Sequence, residues 1–276
     1  MSDKMNVLKT DFGDSSRSFL EYPFYFNGSS VENGPVWGMS VLKAGSMRFR
    51  WNESNPNRDR VLGEIAGSKN VESIELIHSK TVFVAKNPGD CTDKCGDGIV
   101  CQNKNIMPVV TVADCMPLYL FDKDTGAFGV VHSGWKGTGI VSNAVSLMAK
   151  EFGSAPKNIC VAIGAHIHDC CYVVDSERAS YFCSNFGESC VTSVKEGEIL
   201  CKGAASVVNS WNNGNGPLFR LSLLQANLWV LKNCGIQEEN IVLLDECTCC
   251  NPLFGSNRRE TAGGTNFTVQ LAFVRW

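Results

Sequence analysis

Histidine is scarce in this chain, with four among 276 residues. That count excludes a multicopper cluster built largely on imidazole, which needs more ring nitrogens than four side chains supply. An excess of positive charge is lacking too. The formal net charge is -3, so there is no basic field to attract nucleic acid, and no nucleic-acid partner is expected. No apolar run approaches the roughly 20 residues needed to span a bilayer. The opening "MSDKMNVLKTDFGDSSRSF" holds no apolar segment of signal-peptide length. These absences predict a cytoplasmic protein without a membrane partner. Internal repeats and low-complexity tracts are missing as well, which excludes solenoids.

Cysteine is plentiful, with fourteen residues. At about 5% of the chain they fall below the ~8–10% of a short disulfide scaffold, so reduced, partly buried thiols are expected. Two groups stand out: Cys91, Cys95 and Cys101 in a Gly/Asp-rich stretch, and Cys247, Cys249 and Cys250 in "CTCC". Neither forms a clean pair of C-x2-4-C knuckles, so the expectation for both is packing rather than a structural metal.

Hydrophobic patterning predicts a mixed architecture. "IELIHSKTVFVA" (74–85) reads as strand through His78, then a long polar loop follows; "MPVVTVADC" and "PLYLFD" read as strands. The turn "KDTG" joins the second of these to "AFGVVHSGW" as a hairpin. Val141, Val145, Met148 and Phe152 recur at helical spacing up to Gly153. "ICVAIGAHI" and "NIVLLD" read as strands, and "DSERASYFCSNFG" as a helix capped by Asp175 or Ser176. In "SLLQANLWVLKNCG" the helix aligns Leu224, Leu228 and Leu231, and "NSWNNGNGP" (209–217) reads as a surface loop. Hairpins alongside helix-separated strands predict an α+β fold of mixed sheets flanked by helices. One domain over 1–276 is the simplest organisation, with residues 1–35 a less defined N-terminal extension.

The chemistry gathers in "ADCMPLYLFDKDTGAFGVVHSGWKG". Cys115 and His132 lie where apolar strands turn polar, the place where sites on sheets emerge. A thiolate and a neutral imidazole are both zinc ligands, and a catalytic zinc takes three protein ligands with one open position. His78 is the favoured third ligand; His166 and His168 in "AHIHDCC" form a rival pair on one strand face. "HSGWKGTG" adds glycines, the cationic Lys136 and a helix start at Thr138, a combination suited to an anion. Arg258 and Arg259 in "NRR" are further anion candidates, arginine being suited to bidentate grip.

"TVADCMPL", "VVHSGWKGT", "IGAHIHDCCYVV" and "LFGSNRRETAGG", in this order, resemble the signature blocks of the laccase-domain family. That family was long named multicopper polyphenol oxidoreductase and is understood as zinc-dependent purine nucleoside phosphorylases with adenosine deaminase activity. The likeness runs from about Gly38 to the C-terminus. It implies an α+β fold of layered sheets flanked by helices, in a cysteine-hydrolase-like αββα arrangement. It also implies a zinc site at His78, Cys115 and His132, with purine nucleoside and phosphate as small-molecule partners. Departures exist: "LIHSK" stands where the family has glutamine-x-His-Gly, and Leu42 or Lys43 stands at a family arginine. Tyr172-Val173 replaces a tyrosine-glutamate pair, and Ala262-Gly263-Gly264 replaces Thr-Gly-Arg.

The resulting expectation is a purine nucleoside phosphorylase with adenosine deaminase activity, in which Asp114 serves either as proton carrier or behind the metal ligands, and Lys136, Arg258 or Arg259 holds phosphate. Two alternatives stand beside it. One is a copper-dependent polyphenol oxidase, with Met116 as axial ligand. The other is a metal-free cysteine hydrolase in which His132 activates Cys115.

Overall fold

The fold is taken from a computed structural model, which describes residues 4–10, 17–195, 198, 201, 216–262, 264 and 266–276. Most of "NSWNNGNGP", the expected surface loop, lies outside these residues.

Two mixed sheets carry the architecture. The larger has seven strands in the order Asn6–Leu8, Ile241–Leu244, Ile159–Ile163, Met116–Asp122, Phe128–Ser133, Gly98–Cys101 and Val82–Ala85. The second has five, in the order Phe19–Pro23, Val36–Ser40, Gln270–Arg275, Ile106–Val112 and Asn70–Ser73. Both sheets combine the two kinds of pairing: three antiparallel pairs sit at the centre of the larger one with parallel pairs outside them, and the smaller is antiparallel except where Ile106–Val112 pairs with Asn70–Ser73.

Strand alternation explains how the layers stack. Along Met116–Asp122, Met116, Leu118 and Leu120 face one apolar cluster, and Tyr119 and Phe121 face another. The first cluster is closed by helices Ile140–Phe152, Ser176–Phe186 and Leu223–Asn233. The second lies between the sheets, where Trp37, Val110 and Ala272 meet Tyr119, Phe128 and Val242. A third seals the outer face of the five-stranded sheet, with Met107, Val109 and Phe273 against Val61 and Ile65 of helix Pro56–Ala66. The order is therefore helix, sheet, sheet, helix. Each fully buried aliphatic or aromatic side chain contributes roughly 1.5–3 kcal/mol, so the doubly covered central strands are the stable frame.

Local chemistry sets the boundaries. The hairpin Met116–Asp122/Phe128–Ser133 forms as expected, with Pro117 opposite His132. Its turn is closed by Asp122 Oδ1, which accepts from the Asp124 amide at 2.9 Å, and by Gly126 at φ 75°. Helix Ile140–Phe152 ends at left-handed Gly153 as its pattern predicts, but its N-cap is Gly139 at φ 96°, not Thr138. The Thr138 hydroxyl donates to Gly134 O at 2.9 Å instead. Asp175 caps Ser176–Phe186, and Ser222 caps Leu223–Asn233. The buried face of the latter is Leu223, Ala226, Asn227, Val230 and Leu231, so Leu224 and Leu228 are only partly covered. In 74–85 only Val82–Ala85 is strand; His78 sits in a bend at φ 57°. The described part of residues 4–35 adds edge strands to both sheets, at Asn6–Leu8 and Phe19–Pro23.

Candidate metal centre and its cavity

Three chain segments converge at the polar ends of the central strands. Val112 ends a strand of one sheet and Met116 opens a strand of the other, so Ala113–Cys115 crosses between layers. Asp114 makes that crossing at φ 75°. Alternation would send Asp114 and Cys115 to opposite faces, but the left-handed residue turns both toward one cavity. His132 arrives from the antiparallel partner strand, and His78 from the bend before Val82.

The ligand atoms of exposed His78, half-buried Cys115 and buried His132 all lie within 4.8 Å of one another. Gly134 closes the back of the trio. A Cβ built there would fall 3.0 Å from Cys115 Sγ and 3.4 Å from both His132 Cε1 and His78 Cδ2. Only glycine lets the backbone pass so near. One thiolate, two imidazoles and an open side match the donor set of a zinc site with a free position, so the residues present fit the metal.

Asp97 organises this cluster, and its place in "CGDGIV" gave no signal beyond turn composition. It is fully buried. Its Oδ1 accepts from the His78 amide at 3.0 Å, and its Oδ2 accepts from the Ser79 amide at 2.6 Å and the Ser79 hydroxyl at 2.8 Å. His132 Nδ1 lies 2.9 Å from Oδ1. An ionised carboxylate only accepts, so the proton belongs on Nδ1, and Nε2 is left for a metal. The left-handed His78 is thus held by a carboxylate 19 residues away in sequence.

Electrostatics follow from these contacts. Burial pushes the Asp97 carboxyl up, but the His132 hydrogen bond and charge and the Ser79 donors outweigh it, leaving Asp97 below the ordinary carboxylate range. Burial also raises Cys115, yet the charge of His132 and hydrogen bonds from both histidines bring it down to about 7. His132 is lowered by burial and raised more by the Cys115 thiolate and Asp97, ending at about 10. The metal-free site is therefore a thiolate–imidazolium pair.

The trio opens into a cavity of about 390 Å³, within the range of small-molecule sites. Arg48, Arg50, Arg178 and Arg258 line it, as do the rings of Phe49, Trp135, Tyr172 and Phe267. The Arg178 guanidinium lies 4.3 Å over the Trp135 ring and donates to Tyr172 Oη at 3.4 Å. Arg258 Nη1 donates to Cys171 O at 3.1 Å. Among the described residues neither of these two arginines is tied to a carboxylate in a salt bridge, whereas Arg48 pairs with Glu53 and Arg50 with Glu75. Leu42 and Lys43 stand at the expected arginine position, but Arg48 and Arg50 bring guanidinium groups to this wall.

Other expected site residues are placed differently. Asp114 lines the cavity, yet both its oxygens are engaged: Thr248 Oγ1 donates to Oδ1 and the Arg258 amide to Oδ2, each at 2.6 Å. Burial raises its pKa despite these donors. Lys136 is exposed and does not line the cavity; its Nζ sits 5.2 Å from the Trp135 ring. Arg259 also faces away, donating to the carbonyls of Thr248, Cys249, Asn251 and Phe254. Gly137 serves a close approach to the His78 bend, since a Cβ there would meet Ser79 O at 2.7 Å. His166 and His168 stack at 4.8 Å in a separate cavity, and burial lowers His166 to about 3. Met116, considered as an axial ligand, packs fully buried in the helix-side core.

An αββα protein with a Cys/His/His cluster in an arginine- and aromatic-lined cavity is the class that fold and site define. The family described as multi-copper polyphenol oxidoreductase laccase matches residues 52–272, and the chain belongs to that family. A purine nucleoside phosphorylase of Clostridium acetobutylicum is 32% identical over 183 residues, covering 64% of this chain and 70% of that protein. One from mouse is 31% identical over 208 residues, covering 73% of this chain and 42% of that protein. The YlmD purine nucleoside phosphorylase of Geobacillus stearothermophilus is 30% identical over 181 residues, covering 64% and 59%. This chain thus matches less than two thirds of the length of the last two. The crystal structure of that YlmD superimposes with a TM-score of 0.69 at 24% identity, covering 88% of this chain and 92% of the other. The hypothetical protein YfiH of Bacillus licheniformis gives 0.72 at 21%, covering 87% and 92%. Among the described residues no helix is long and apolar enough to cross a membrane.

Proposed function

We propose that the protein is a zinc-dependent purine nucleoside phosphorylase with adenosine deaminase activity, acting in the cytoplasm. The observation that carries the reading is the convergence of His78, Cys115 and His132 on the floor of a cavity that also presents arginines and aromatic rings. Three relatives at 30–32% identity, each named a purine nucleoside phosphorylase, support the substrate class.

His78, Cys115 and His132 would hold the zinc ion, which when bound supplies Lewis acidity at its open position. Arg178 and Arg258 are suited to grip a phosphate bidentately. Phe49, Trp135, Tyr172 and Phe267 offer flat apolar surface for a purine, so base and anion take different parts of one cavity. Asp97 keeps His132 in the ligating tautomer. Asp114 positions the Arg258 backbone through its own hydrogen bond and is better read as an anchor than as a proton carrier, because both its oxygens are engaged.

Product analysis tests this. Metal-quantified protein is incubated with adenosine with and without phosphate, and inosine is separated from adenine. Adenine formed only with phosphate, together with inosine in either case, is expected. Absence of both from zinc-loaded protein refutes the reading. A second reading, a cysteine hydrolase, is favoured by the Cys115 thiol near 7 beside His132. Turnover of an ester or amide that persists in strong chelator would select it.

A further inference from the structure

A thiol cluster outside the lining of that cavity, in the loops at 170–171 and 247–250, has no part in that reading. Cys170, Cys171, Cys247 and Cys250 bring their sulfurs within 4.8 Å of one another. Cys170 Sγ lies 3.7 Å from Cys171, 3.9 Å from Cys247 and 3.7 Å from Cys250, while Cys171 and Cys250 are 3.3 Å apart. A tetrahedral ion with zinc–sulfur bonds of about 2.3 Å has sulfur–sulfur edges of about 3.8 Å. The three separations from Cys170 already stand at that spacing, and all four sulfurs lie within 4.8 Å of one another.

The backbone holds them there. Cys247 and Cys250 form a C-x2-C knuckle, folded by the Cys250 and Asn251 amides, which donate to Cys247 O at 3.1 and 2.8 Å. The knuckle is zipped to the segment before Cys170: His166 bridges Cys247, the His166 amide donates to Glu246 O, and the Thr248 amide donates to His166 O. The His168 amide points at Cys247 Sγ at 3.4 Å, a donor suited to thiolate. Cationic guanidinium groups lie alongside, with Arg258 on Cys171 O and Arg259 on the carbonyls of Thr248 and Cys249. They offset the negative charge that four thiolates around a divalent ion would leave.

We propose that Cys170, Cys171, Cys247 and Cys250 bind a second zinc ion as a closed, structural tetrathiolate site. Four protein ligands leave no open position, so this ion ties two loops together and takes no part in turnover. The loops it ties carry Tyr172 and Thr248. A fifth thiol, Cys201, lies 2.8 Å from Cys171, and a disulfide between those two is the competing outcome.

The proposal is tested on reduced full-length protein purified from zinc-supplemented medium and dialysed against metal-free buffer. Metal quantification is expected to give about two zinc ions per chain. X-ray absorption is expected to give about two and a half sulfur neighbours per zinc, the average of one at the Cys115 site and four at the cluster, with zinc–sulfur distances near 2.3 Å. If the Cys115 site is empty, four sulfurs per zinc still supports the cluster. The Cys247→Ser/Cys250→Ser variant should lose one equivalent, and Cys95→Ser, altering an exposed thiol outside the cluster, should lose none. One zinc with a single sulfur neighbour in the wild-type protein overturns the proposal. So does a Cys171–Cys201 disulfide in protein prepared without oxidant.

Discussion

Gly134→Ala separates metal assembly from folding, because the three nearest neighbours of the added methyl are the three ligand side chains. Its carbon falls 3.0 Å from Cys115 Sγ and 3.4 Å from each histidine ring, so the ligands must give by a few tenths of an ångström. Metal–ligand distances tolerate about 0.2 Å. Without metal the side chains rotate aside, and the substitution lowers unfolded-state entropy, a gain of about 0.4–1 kcal/mol. With metal bound they cannot move, and overpacking of about 1–3 kcal/mol falls on the bound state. Zinc affinity should therefore drop roughly 5- to 150-fold at 1.4 kcal/mol per tenfold, while the melting temperature in chelator holds or rises. Competition against a chromophoric zinc chelator reads the first quantity, and circular dichroism melts read the second. Folded Gly134→Ala protein that binds zinc within twofold of wild type refutes the convergence of the three ligands on one ion.

Asp97→Asn replaces an acceptor-only carboxylate by an amide whose NH2 must face donors from the His78–Ser79 backbone or from His132. At least one buried donor is left unmet, costing about 1–3 kcal/mol, and zinc affinity should fall about 10- to 100-fold; denaturant melts and chelator competition check the pair, and unchanged affinity removes Asp97 from the metal's support. Zinc uptake should release protons with a defined pH profile. Between about 7 and 10 the metal-free site holds the Cys115 thiolate and protonated His132. One proton is then displaced per zinc, and affinity falls tenfold per pH unit on acidification, more steeply below about 7. Calorimetry in buffers of different ionisation enthalpy counts those protons, and zero protons at pH 8 contradicts the pairing. Asp114→Asn should destabilise the fold by roughly 1–3 kcal/mol by unbalancing the Thr248 and Arg258 contacts, with kcat falling less than tenfold. A kcat loss above a thousandfold in folded protein would make Asp114 a proton carrier.

Sequence periodicity suffices where burial is one-sided and local. Val141, Val145 and Met148 recur on one face of a helix whose stop is a glycine, and the hairpin around Gly126 has its own turn residues, so both are legible without a partner. "IELIHSKTVFVA" misleads because its apolar alternation suits a strand, whereas Asp97 captures the amides of His78 and Ser79 and bends the chain. That capture is nonlocal and carries no periodic signal. In Leu223–Asn233 the polar Asn227 is buried, accepting from Ser133 Oγ at 2.9 Å and donating to Leu223 O at 2.8 Å. A pattern read from leucines alone therefore chooses the wrong face. The metal trio was legible as residue types at strand ends, but Arg48, Arg50 and Arg178 reach the cavity from segments without any motif of their own.

The two cysteine-bearing sites are joined by Asp114. It adjoins Cys115, accepts from Thr248 between Cys247 and Cys249, and accepts from the Arg258 amide, while the Arg258 side chain returns to Cys171 O. This path of hydrogen bonds, closed into a ring by the Cys171–Cys250 sulfur contact, runs from the open metal trio to the thiol cluster through Arg258, one of the two groups proposed to hold phosphate. An ion in the cluster restrains the loops at 170–174 and 247–258 from the far side. Removing two thiolates should therefore loosen the ring without touching His78, Cys115 or His132. In Cys247→Ser/Cys250→Ser protein, amide hydrogen exchange should quicken at Tyr172–Val174 and across Thr248–Arg258, while strands Met116–Asp122 and Phe128–Ser133, buried on both faces, keep their protection. Exchange unchanged at those loops would mean that the ring holds itself and that the cluster contributes nothing to the cavity's rigidity.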